Sequence, residues 1–166
     1  MIARYLMVGL LACAAWLPLQ AQPTLADLVS QADADWMLGK WEAQLDNGGP
    51  VTLEVSWDLD KHVIVQHGKL NDLEFKSYTV LEPGVSAPKY VSFDTRGIVG
   101  KGSWAMEDGN LTLRVENNSL ERGVSPMAVV YTGGASKGLE VRLYRLTDSG
   151  ELESPAAMTV KFKKQK

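Results

Sequence analysis

Cysteine is almost missing from this chain: its 166 residues contain one, Cys13. That excludes an internal disulfide framework and any metal cluster built on cysteines. Histidine is nearly as scarce, with His62 and His67 the whole complement, so zinc held by imidazoles alone has too few ligands. Basic charge is not in excess either. Seventeen Lys and Arg stand against twenty Asp and Glu, for a net charge of −3, whereas a nucleic-acid binder needs a basic face. Beyond residue 21 no apolar run approaches the roughly 20 residues that a membrane-spanning helix requires. The phosphate-cradling P-loop spacing and the Gly-x-Ser-x-Gly elbow of serine hydrolases are both lacking. What remains is an ordinary globular composition, 45% hydrophobic and 22% charged, of a size suited to one domain.

Residues 1–21, MIARYLMVGLLACAAWLPLQA, carry one charge, Arg4, ahead of an uncharged apolar run from Tyr5 to Leu17. Pro18 ends the run, and Leu19-Gln20-Ala21 places a small residue before a cleavage point. This is the pattern of a secretory signal peptide. It predicts an extracytoplasmic protein, periplasmic or secreted, with a single domain over 22–166. Overlapping it, Leu10-Leu11-Ala12-Cys13 resembles a bacterial lipobox, which would put a lipid anchor on Cys13. The apolar run continues past that cysteine through Trp16 and Leu17, which favours cleavage after Ala21.

Past the leader the hydrophobic period changes twice. Leu25, Leu28 and Val29 fall at helical spacing behind Thr24, a good N-cap, so a short helix is expected, finished by Asp35 or Trp36. From Lys40 onward the period is two. Val51, Leu53, Val55 and Trp57 alternate with Thr52, Glu54 and Ser56, and Leu111, Leu113 and Val115 with Thr112, Arg114 and Glu116. Such alternation marks strands with one buried and one wet face. Turn-forming clusters of Gly, Asn and Asp recur every 10 to 15 residues or roughly so, giving about nine or ten strands between Lys40 and Lys164. Connections this short forbid parallel pairing. An all-β, antiparallel, up-and-down barrel with a short N-terminal helix is therefore expected, since closure removes the sheet's edges.

One motif points to a family. Gly39-Lys40-Trp41, a Gly-x-Trp at the start of the first strand and directly after the short helix, resembles the lipocalins and the wider calycin superfamily. The hairpin Trp57-Asp58-Leu59-Asp60 and the segment Gly100-Lys101-Gly102-Ser103-Trp104 are similar to uncharacterised bacterial secreted proteins of lipocalin-like type. The family's second signature is absent, because Thr147-Asp148 runs into the turn Ser149-Gly150. The resemblance implies a lipocalin-like barrel in which Trp41 packs at the closed end beneath an arginine from a late strand, Arg142 or Arg145.

Candidate chemistry is sparse. His62 and His67 lie five apart on one expected strand, and an odd separation sends them to opposite faces. His67 shares parity with Val63 and Val65, so it is the inward one if those valines are core. There an imidazole could bind haem iron or act as a base, or it is a rim histidine bonded locally. The carboxylates Asp58, Asp60, Asp72, Asp94, Asp108 and Asp148 sit in turns, where turn chemistry explains them. Neither cofactor nor metal is called for. The aromatic residues are the best pocket candidates, with Trp57, His67, Tyr90, Trp104 and Tyr131 as the expected lining, although a packed core needs the same rings.

Three functions follow. The first is noncatalytic binding of a small apolar or amphipathic ligand in the barrel. The second is a periplasmic interaction protein, an inhibitor of a hydrolase or an envelope accessory factor, acting on an envelope protein through the loop Glu82–Lys89. The third, a barrel isomerase using His67 or a buried carboxylate, has the least support.

Overall fold

The computed structural model describes residues 22–45, 48–121, 123–134 and 138–165. The expected leader over 1–21, with Cys13 and its lipobox, lies outside the described residues, as do Asp46 and Asn47 of the first turn.

Thr24 opens helix α1 (Leu25–Gln31) with a capping box. Its hydroxyl accepts from the Asp27 amide at 3.2 Å while its own amide donates to the Asp27 carboxylate at 2.8 Å. The helix is shorter than expected. Asp33 takes a left-handed φ of +48°, which ends an α-helix, and the chain resumes as one 3-10 turn at Asp35–Met37.

Ten strands follow: β1 (Gly39–Gln44), β2 (Pro50–Asp58), β3 (Val63–Leu70), β4 (Leu73–Val80), β5 (Lys89–Asp94), β6 (Val99–Glu107), β7 (Asn110–Ser119), β8 (Gly123–Gly134), β9 (Gly138–Arg145) and β10 (Met158–Lys164). Each pairs antiparallel with the next, and β1 closes on β10 through Trp41 opposite Lys164. The all-β up-and-down barrel expected from turn spacing is the fold of the chain.

Register decides which side chains face inward. Val51, Leu53 and Val55 on β2 oppose Leu70, Gly68 and Gln66 on β3. Even positions of β3 therefore share the inner face with odd positions of β2, and Val55 and Gln66 are both almost completely buried. The inner face continues through Leu113 and Val115, Val129 and Tyr131, Leu139 and Val141, and Val160 and Phe162. Outward positions carry charge: Glu54, Lys69, Lys76, Lys101, Glu116, Glu140 and Lys161. An apolar inside and a charged outside is the reverse of a membrane-spanning barrel. Among the described residues no helix is long and apolar enough to cross a membrane.

The outer face is not wet everywhere. Thr112, Ala128 and Val130 have outward parity and are buried all the same. The long β9–β10 connection reaches this wall, where Arg114 donates to the Gly150 carbonyl at 2.7 Å and grips Glu107 with two further bonds.

At the end where β1 begins, two tryptophans close the barrel. Trp36 lies so close to Gly133 that a side chain there would run into its ring. Trp41 is 3% exposed and donates its indole N–H to the Met37 carbonyl at 2.9 Å. The cation above it is neither arginine of the expected pair. Lys164 Nζ sits 5.1 Å from the Trp41 ring centre. Arg142 faces outward and pairs with Glu140, and Arg145 is exposed at the far end of β9. Gly39 makes Lys164 possible. Its φ of +127° disfavours any side chain, and a Cβ would stand 2.7 Å from Lys164 Cε.

Candidate functional site

Halfway along the barrel a layer of polar and aromatic side chains crosses the interior. β3 supplies Gln66, β4 supplies Ser77 and Thr79, β5 supplies Tyr90, β6 supplies Trp104 and β8 supplies Tyr131. Their strands put them at one level because Gln66 pairs with Ser77, and Thr79 with Tyr90, in the sheet register. The Ser77 hydroxyl donates to Gln66 Oε1 at 3.2 Å, and the Trp104 indole donates to Thr79 Oγ1 at 3.0 Å. Trp104 meets Tyr90 edge-on, centroids 6.2 Å apart, and tilts against Tyr131 at 5.1 Å.

Burial sets the electrostatics of this layer. It pushes the Tyr131 hydroxyl far above the usual tyrosine range, and the neighbouring Tyr90 adds to the rise. Tyr90 is raised too, again by burial, against bonds to Ser92 and Ser77 that work the other way. Both phenols are therefore neutral hydroxyls at physiological pH. One buried polar atom among the described residues has no partner, the Gln66 amide nitrogen. A weak side-chain contact from Gln66 opposes the rise in the Tyr131 pKa, but its amide nitrogen meets no acceptor within full hydrogen-bond geometry.

The layer separates two cavities. Toward α1 is one of about 210 Å³, lined by Leu25, Leu28 and Val29 of the helix, by Met37, Val55 and Ile64, and by Gln66, Thr79 and Trp104 of the layer. Toward the other end is one of about 280 Å³, lined by Leu70, Phe75, Val115, Met127, Leu143 and Phe162, with Tyr90, Ser92 and Tyr131 on the layer side. Asp94, Arg96 and Lys69 border that second cavity. Arg96 holds Asp94 through Nη2 at 2.7 Å, and the amides of Arg96 and Ile98 both donate to Asp94 Oδ1 at 2.9 Å. Burial raises the Asp94 pKa, but the Arg96 and backbone bonds outweigh it and hold the carboxyl below its usual value.

Of the expected lining residues the structure brings three together. Tyr90 and Tyr131 border the larger cavity, and Trp104 borders the helix-capped one. Trp57 has inward parity but sits near the end of β2 and lines neither. His67 points the other way. With Gln66 and Gly68 inward, His67 is on the outer wall, where Nε2 meets Glu74 Oε1 at 2.6 Å and both side chains are about 40% exposed. The inward reading of His67 is thus corrected, and with it any haem or general-base role inside the barrel. Gln66, Ser77 and Thr79 were missed. Their signal is the inward parity that they share once the β2–β3–β4 register is known. The Glu82–Lys89 loop folds over the helix-capped end, its Gly84 amide donating to the Gln22 side chain at 3.2 Å, and its Ser86 and Pro88 border the smaller cavity.

No model of a known protein family matches the sequence, and no curated protein matches it either.

Proposed function

We propose that the protein is a noncatalytic, lipocalin-like binding protein of the bacterial envelope or its surroundings, taking a small apolar or amphipathic ligand into the larger cavity. One observation carries this reading. About 280 Å³ of space, open toward solvent, is lined by aliphatic and aromatic side chains, with neutral hydroxyls on one side and the Asp94–Arg96 pair at the border. A few polar groups converging on an apolar pocket is the usual build of a small-molecule site, and the volume suits a ligand below drug size. Gly39-Lys40-Trp41 behind a short helix supports the family reading, and the leader-like residues 1–21 support export.

The test is titration with a fluorescent apolar probe, N-phenyl-1-naphthylamine, against wild type and Met127→Trp, which fills the cavity from β8. Saturable binding in wild type that drops at least tenfold in the variant is the expected result. Equal binding by both proteins, together with empty mass spectra of extracts from the purified native protein, would overturn the reading. N-terminal sequencing of envelope-fraction protein checks export: Gln22 should come first, and a full-length cytoplasmic chain contradicts it.

A further inference from the structure

We infer a second ligand site, in the cavity beneath α1, for a small uncharged molecule carrying one hydrogen-bond acceptor, of the ketone, ester or lactone kind. It lies across the polar layer from the larger cavity and does not depend on that cavity being occupied.

Three observations converge on it. First, α1 is anchored at Leu25 and otherwise laid over space. Of its seven residues only Leu25 is buried, while Leu28 and Val29 stay half-buried and border the cavity. An apolar helix face gains stability only from what it covers, and here it covers about 210 Å³. An engineered aliphatic cavity of about 150 Å³ is enough to take up benzene.

Second, a donor borders this space unspent. Gln66 is 1% exposed, it lines this cavity and not the other, and its amide nitrogen has no partner. A buried N–H without an acceptor forfeits the hydrogen bond it would make to water. A water would need two to four polar partners. The other polar side chains at this cavity are Thr79 and Trp104, bonded to each other across the layer, and Ser86 on the Glu82–Lys89 loop at its border. A carbonyl oxygen on an otherwise apolar molecule needs one donor, and one is there.

Third, among the described residues no charged side chain lines the cavity. An ion would enter without a counter-charge, at a high desolvation cost. The occupant is therefore neutral, and its polarity is confined to one acceptor.

The experiment compares acetophenone with α-methylstyrene, its hydrocarbon isostere, in the full mature chain. Side-chain amide and indole N–H resonances of Gln66 and Trp104 report binding. Gln66→Leu should lower the ratio of acetophenone to α-methylstyrene affinity about tenfold, one hydrogen bond's worth, and comparing ratios cancels the differing hydration of the two probes. Leu28→Trp, on the half-buried helix face, should abolish binding of both, and Met127→Trp should leave both untouched. A ratio unchanged in Gln66→Leu, or a Gln66 amide resonance that ignores acetophenone because it is bonded to Tyr131, would overturn the proposal. Probes displaced by Met127→Trp and not by Leu28→Trp would also overturn it, by placing them in the larger cavity. If Gln66→Leu does not fold, the wild-type amide shift and Leu28→Trp still decide.

Discussion

At the end where β1 begins, Trp36 packs on Gly133, Trp41 is pinned to Met37 and covered by Lys164, and α1 lies across the opening. At the other end no helix covers the barrel among the described residues, and the border of the cavity is made by the Asp94–Ile98 turn. The first end is held by large apolar areas and the second by a carboxylate with its donors. These respond differently to perturbation. Area burial is insensitive to salt and pH but cannot be trimmed without leaving a cavity. A carboxylate network gives way to acid.

The largest effect should come from Trp41→Ala. Removing a fully buried indole, its hydrogen bond and its cation contact should cost about 3–5 kcal/mol, read from urea unfolding by circular dichroism. A loss under about 1 kcal/mol would mean that the helix-capped end is not the stable one.

Asp94→Asn tests the other end and should cost less, about 1–2 kcal/mol. The sign with pH follows from the direction of the shift. Arg96 and the backbone amides hold the folded carboxyl below its unfolded value near 3.8. Its contribution is therefore complete above that value and fades as pH falls through the folded pKa. The stability gap between wild type and Asp94→Asn should be constant from pH 7 to pH 5 and close below pH 4 or so. A gap that widens in acid would refute the assignment.

His67→Gln, on the wall between the two ends, should do least. His67 bonds the Glu74 carboxylate and holds it below its usual pKa, but both side chains stand well out in solvent, where ion pairs are screened. Melting and probe binding in both cavities should be unchanged. A lost binding signal would mean that the β3 register is shifted by one residue, since a one-residue slip exchanges the faces.

The strands differ in how plainly their sequence marks the inner face. β2 and β7 alternate cleanly, and their inward residues are the ones the sequence suggests. β3 does not alternate. Val63, Ile64 and Val65 are apolar on both parities, while the inward positions further along are Gln66 and Gly68. The inward position 68 holds glycine, where the Phe75 ring occupies the space a side chain would need, and the inward Gln66 is bonded by Ser77. Polar and small residues inside the barrel invert the rule that the apolar parity is the buried one, and His67 was misplaced for that reason. Lys164 is far from Trp41 along the chain, and only the closure of β10 on β1 lays it over that ring.

Local chemistry was enough for the capped helix, for the placement of turns, for antiparallel pairing through short connections, and for a barrel that buries its apolar side. Each of these rests on interactions between residues a few positions apart, so the order of residues carries them. The polar layer, the two spaces it divides and the unpaired amide of Gln66 depend on side chains from five strands meeting at one height. Their sequence separations are large, and what brings them level is the register and stagger of the closed sheet, which no short stretch of chain encodes.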